Sequence, residues 1–102
     1  MTTPRLLVLR AFLDDPTRER YGLDLANAAG LEPGTIYPIL VAFENAGWLR
    51  SWQEQVDPHL EGRPRRRYYA LTAEGASAAH DALADNARRR GRRANPTGTL
   101  AW

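Results

Sequence analysis

Ile36, Ile39, Leu40 and Phe43 stand at i, i+3, i+4 and i+7, one apolar stripe of a helix that the spacing predicts from about Pro33 to Ala46. Pro38 sits near the start of this helix, where a missing amide donor costs least, and Gly47 ends it. Upstream, Leu6, Leu7, Leu9, Arg10 and Leu13 follow a helical pattern over residues 4–13, with Pro4 suited to a first turn. Asp14-Asp15-Pro16-Thr17 reads as a stop and a turn. A second helix is expected over residues 20–28, with Leu23 and Leu25-Ala26 pointing inward and Gly30 as its cap. Only Gly30 to Gly34 separates it from the next helix, the short connection of a helix-turn-helix.

After Gly47 the pattern changes. Trp48 to about Gln55 reads as a strand, residues 56–65 carry the breakers Asp57-Pro58 and Glu61-Gly62, and Arg66 to Leu71 read as a returning strand with Tyr69 and Leu71 on one face. Thr72 is a good helix N-cap with Gly75 close behind, and an alanine-rich fourth helix follows to about Arg90. From Arg92 to Trp102 there is no period, and disorder is expected. The order of elements gives a mainly α fold with a small β-wing: a winged helix-turn-helix with a three-helix core, a two-stranded antiparallel wing and a C-terminal helix, to which the family resemblance given below assigns dimerisation. It divides the chain into residues 1–72 as a DNA-binding domain, 73–91 as the C-terminal helix and 92–102 as a tail.

A chain of 102 residues has room for one domain, and its modest core would gain from dimerisation. No apolar run approaches the ~20 residues of a membrane span, and the amino terminus lacks the apolar core of a signal peptide, so a cytoplasmic location is expected. The absence of cysteine excludes disulfides and thiolate metal sites. Net charge is only +2, but distribution matters more than the total: nine of the fourteen arginines lie between Arg63 and Arg93, in two clusters. Such clustering is the electrostatic footprint of a nucleic-acid binder. The all-arginine basic content has a compositional explanation as good as any functional one.

The densest cluster is Gly62-Arg63-Pro64-Arg65-Arg66-Arg67-Tyr68-Tyr69, beside the turn between the two strands. Guanidinium forks there can reach phosphates or enter a minor groove, so Arg63, Arg65, Arg66 and Arg67 are candidate DNA contacts. Strand alternation prevents all four from facing one way, and ion pairing with Glu54 or Glu61 is the structural alternative. Tyr21-Gly22-Leu23-Asp24-Leu25, Gly34-Thr35-Ile36-Tyr37-Pro38, Phe43-Glu44-x-x-Gly47 and the arginine run continued to Leu71-Thr72-x-x-Gly75 together resemble the PadR-type transcriptional regulators, over about residues 4–90.

The resemblance implies a dimeric DNA-binding regulator, with double-stranded DNA and a second copy of the chain as partners and no cofactor. It places Thr35 and Tyr37 at the DNA face of the third helix, where Pro38 beside them is a further candidate contact. It makes the fourth helix the dimerisation element, often paired with the partner's first helix; Leu6, Leu9, Leu13, Ala76, Ala79, Leu83 and Ala87 are the expected contacts. Members usually carry basic residues or histidine where this chain has Val41 and Ala42, so base readout by arginine is not available from its third helix. A winged-helix module working by protein contact, with weak or no DNA binding, is therefore the alternative.

Trp48, Trp52 and Trp102 invite comparison with members that bind flat drugs between tryptophans, but the fourth helix has no aromatic residue and wing packing is the expectation for the first two. An effector, if any, is not identified. His80 and Asp81, adjacent on a helix, point about 100° apart and do not converge on a metal. No phosphate-binding loop or nucleophile–base arrangement is present, so catalysis is not expected. Arg88 to Arg93 could extend the DNA footprint or complement the negative end of the fourth helix.

Overall fold

The computed structural model describes residues 1–94. Its elements follow the order α1 (Thr3–Asp14), β1 (Arg20–Tyr21), α2 (Gly22–Ala29), α3 (Pro33–Asn45), β2 (Leu49–Gln53), α4 (Pro58–Glu61), β3 (Arg67–Leu71) and α5 (Ala73–Ala94). Helices α1, α2 and α3 enclose the core, in which Val8, Leu9, Leu25, Ile36, Leu40 and Phe43 are fully buried. The α3 stripe lies inside as its spacing requires. Pro38 is the sixth residue of α3, so its missing amide forgoes the bond to Gly34, and the helix continues through it.

The sheet has three antiparallel strands in the order β1-β3-β2, where two were expected. Arg20 and Tyr21 do not open the second helix; they pair with Tyr69 and Tyr68 of β3. The reason lies in the Arg20 side chain, which is only 5% exposed. Its guanidinium pairs with Asp24 and donates to the Ala11 carbonyl at 2.9 Å, near the C-terminal end of α1, where carbonyls lack intrahelical partners. One buried cation thus ties α1, β1 and α2 together. Leu23, expected to point inward, is 53% exposed, because α2 starts at Gly22 and turns Leu25 and Ala26 to the core instead.

Register pairs Leu49 with Leu71, Ser51 with Tyr69 and Trp52 with Tyr68. Leu49 and Tyr69 face the core, and burial pushes the Tyr69 phenol above its ordinary pKa. On the opposite face Tyr21, Tyr68 and Trp52 form a row, with ring centroids 5.9 and 6.1 Å apart, capped by the Arg66 guanidinium over Tyr21 and by Arg50 over Trp52. Trp48 stacks on Phe43 at 5.3 Å. Both tryptophans therefore serve wing and core packing.

The junction to α5 is held at one point. Thr72 caps the helix, its hydroxyl accepting from the Gly75 amide at 3.0 Å and donating to the Gly47 carbonyl at 2.7 Å. The Thr72 amide donates to the Trp48 carbonyl, and Gly75 lies directly against that same peptide. Helix α5 passes Gly91 without a break and reaches Ala94, beyond the end expected near Arg90, so residues 92–94 are helical. Residues 95–102, with Trp102 and the rest of the segment expected to be disordered, lie outside the described residues.

Candidate nucleic-acid interface

The first turns of α3 and the wing border one cleft. Pro33, Gly34, Thr35, Tyr37 and Pro38 are exposed, opposite the buried stripe. The cleft has a volume of about 470 Å³ and is lined by Tyr21, Gly22, Leu23 and Tyr37 on one side and by Pro64 and the four wing arginines on the other. Tyr37, 46% exposed, lies over Gly22: a β-carbon at residue 22 would stand 2.6 Å from the ring. Glycine is needed there for the tyrosine to hold its place in the cleft.

The four arginines are not equivalent. Arg63 turns inward and forms a two-pronged pair with Glu54, at 2.7 and 3.1 Å. Glu54 also accepts from the Arg66 amide at 3.2 Å and from the Tyr68 hydroxyl at 3.2 Å. This carboxylate is the hub of the wing. Arg63 lines the cleft, but in the free protein its fork is engaged by Glu54, with Glu61 at 4.0 Å, the ion pairing that stood as the alternative to DNA contact. Arg65 donates to the Val56 carbonyl at 2.8 Å and is otherwise exposed. Arg66 lies over the Tyr21 ring at 4.3 Å. Arg67 donates to the Ser51 hydroxyl at 2.9 Å, and Ser51 donates to Glu44 of α3. Among the described residues none of these last three is within salt-bridge distance of a carboxylate, and all three line the cleft.

The short helix α4 within the wing was not expected. Asp57 caps it by accepting from the His59 amide at 2.9 Å, and Gly62 closes it in the left-handed region. It brings Arg63 back toward Glu54. Asp57-Pro58 and Glu61-Gly62 read as breakers in the sequence, although Asp-Pro followed four residues later by Gly is also the start and stop of one helical turn.

The Arg63 guanidinium, helped by the Arg66 amide and the Tyr68 hydroxyl, holds the Glu54 carboxyl down at about 2, against an ordinary 4.5. A depressed carboxylate stabilises the fold above the unfolded value and loses that contribution as pH falls toward the folded value. Acid unfolding of the wild type is therefore expected to steepen between pH 4.5 and about 2, and Glu54→Gln to flatten that part of the curve. Urea midpoints measured across this range check it; equal slopes in the two proteins would remove Glu54 as the wing's hub.

The expected dimer contacts separate into two groups. Leu9 and Ala79 are fully buried within one chain, where they join α1 and α5 to the core, and have no surface to offer a partner. Leu6 is 9% exposed, while Leu13, Ala76 and Leu83 are half-buried and Ala87 is exposed. Between α1 and α5 runs a groove of about 380 Å³ lined by Thr3, Leu6, Leu7, Arg10, Asn86 and Arg90. Arg88 and Arg89 both reach Asp85 of their own helix, at 3.6 and 3.1 Å. No helix among the described residues is long and apolar enough to cross a membrane.

Comparison with known proteins agrees with this fold. The profile of the transcriptional regulator PadR-like family matches residues 12–81. No curated protein matches the chain. Among solved structures, smu.1704 from Streptococcus mutans UA159 is similar with a TM-score of 0.74 and 23% identity, over 93% of this chain and 86% of the other. A PadR family transcription regulator from hypervirulent Clostridium difficile R20291 gives 0.68 and 20%, over 96% of this chain and 99% of the other. The PcaV transcriptional regulator from Streptomyces coelicolor, solved in complex with its natural ligand, gives 0.70 and 22%, over 94% of this chain but 62% of its own.

Proposed function

The chain belongs to the PadR-like family of transcriptional regulators, and from that premise we propose that it is a dimeric repressor that holds duplex DNA between α3 and the wing. Thr35, Tyr37 and Pro38 face the major groove, and Arg65, Arg66 and Arg67 hold phosphates or enter the flanking minor groove. The observation that carries this reading is the cleft lined on one side by Tyr37 and on the other by these three arginines. Residues 1–72 form the DNA-binding unit, and α5 joins two copies. The test is fluorescence anisotropy on the DNA upstream of the protein's own gene at several salt concentrations, with an Arg65→Ala/Arg66→Ala variant beside the wild type. Salt-sensitive binding with a shallower slope in the variant supports the clamp.

The dimer would use the surface that α1 and α5 leave open: Leu6, Leu7, Leu83 and Ala87, around the groove between the helices. A two-fold axis there would set two α3 helices on half-sites about one helical turn apart. Sedimentation equilibrium at micromolar protein should give twice the chain mass; a monomer would sink the dimeric repressor. PcaV was solved with its natural ligand, and the α1–α5 groove is the place where an effector of this protein would act on the dimer.

The second reading, a module working through protein contact, is favoured by one observation. The exposed face of α3 carries no cation, and its acidic residue Glu44 accepts from Ser51. No retardation of DNA even at low salt would select this reading over the repressor.

A further inference from the structure

The exposed face of α3 holds the chemistry of a particular base contact. From Pro33 to Asn45 the helix has no arginine, lysine, histidine or glutamine. Guanine is read by donors aimed at its O6 and N7, most often a guanidinium fork, and α3 has no such fork to offer. Its charged residue, Glu44, already accepts from Ser51. At the centre of the face stands Val41, 55% exposed, three residues after exposed Pro38 and four after Tyr37. At 3.6 residues per turn these three share the side opposite Ile36, Ile39, Leu40 and Phe43. A half-exposed β-branched residue gains little from burial and is a middling helix former, so the fold does not require valine here and leaves its methyls open to a contact.

Building on the DNA-binding reading, we propose that α3 reads thymine 5-methyl groups, with Val41 as the specificity-determining contact and Pro38 beside it, so that the operator is A·T where the helix enters the major groove. The methyl is the one apolar group that distinguishes a base pair in that groove. The surface is continuous with the cationic cleft, since Tyr37 belongs to both, so a duplex held by Arg65, Arg66 and Arg67 brings its base edges to Val41. An apolar partner protein is disfavoured by the same continuity, because three arginines would border its contact.

The experiment has two stages. Duplexes selected from a random pool by the full chain supply the probe, and the positions under α3 are expected to be T or A. Each conserved thymine is then replaced by deoxyuridine, which removes the methyl and leaves the pairing unchanged. Affinity is expected to fall about fourfold for each contacted methyl, from burial of one carbon. In Val41→Ala, an exposed and structurally mild change, the thymine and uracil duplexes should bind alike. Selected sites with G·C at these positions, or a uracil penalty unchanged in Val41→Ala, would overturn the proposal while leaving the clamp intact. No binding to any duplex at low salt would overturn the DNA-binding reading, and this inference with it.

Discussion

A fourfold rise in salt, from 50 to 200 mM, is expected to weaken binding to duplex DNA about a thousandfold. In the proposed dimer each protomer would set Arg65, Arg66 and Arg67 on the duplex, so roughly six phosphates would be neutralised, and affinity would fall with a logarithmic slope of about 0.9 per phosphate. Arg65→Ala/Arg66→Ala removes about four of these contacts in the dimer and should bring the slope down by about 3.6. Arg63→Ala is the informative control. Its charge is already matched by Glu54 in the free protein, at 2.7 Å, so its removal should change the slope by less than about one. Anisotropy titrations at four or five salt concentrations measure all three slopes. If Arg63→Ala lowers the slope as much as the double variant, the wing rearranges on DNA and the division of its arginines drawn from the free structure is wrong.

That division was only half legible in the sequence. Strand alternation said that the four arginines could not act alike, and Glu54 and Glu61 were visible as counter-ions. Which arginine would turn inward depends on α4, a single helical turn that folds Arg63 back on Glu54. Periodicity cannot detect an element of four residues. The same limit explains β1: two residues carry no alternation, and Arg20 at its start looked like the polar beginning of a helix. Its burial follows from a tertiary partner, Asp24, and from the Ala11 carbonyl at the end of another helix.

Longer patterns were read correctly where one physical cause dominated. The α3 stripe, the Gly47 stop and the Thr72 cap each depend on neighbours within one turn, and each appears where expected. Leu9 and Ala79, read as dimer contacts, are buried within their own chain, and the sequence could not show this for the opposite reason. The leucines of α1 were visible, but a sequence does not say which of two apolar sides meets the core of its own chain and which remains open. The groove beside Leu6 and Leu7 is what remains open.

Gly75→Ala is expected to be the most damaging single methyl in the protein. Gly75 lies in the first turn of α5 with an ordinary helical backbone, not among the glycines of positive φ. By helix propensity alone, alanine there would add about 1 kcal/mol of stability. Packing reverses the sign. A β-carbon at residue 75 would strike the Trp48 carbonyl oxygen, with the Trp48 carbonyl carbon at 2.7 Å and Cα at 2.8 Å. These are backbone atoms at the start of the wing, whose carbonyl also accepts from the Thr72 amide, so they cannot turn aside as a side chain would. Overpacking against a fixed backbone costs on the order of 3 kcal/mol, a large part of the ~5–15 kcal/mol by which a domain is stable. In a chain of this size that lowers the melting temperature by roughly 10–20 °C. Gly91→Ala, in the same helix with nothing within 4 Å of the added carbon, isolates the propensity term and should raise the melting temperature by a few degrees. Thermal unfolding followed by circular dichroism separates the two. If both variants gain stability, α5 has freedom to move from the sheet, and the rigid union of Thr72, Gly75 and Trp48 does not position it.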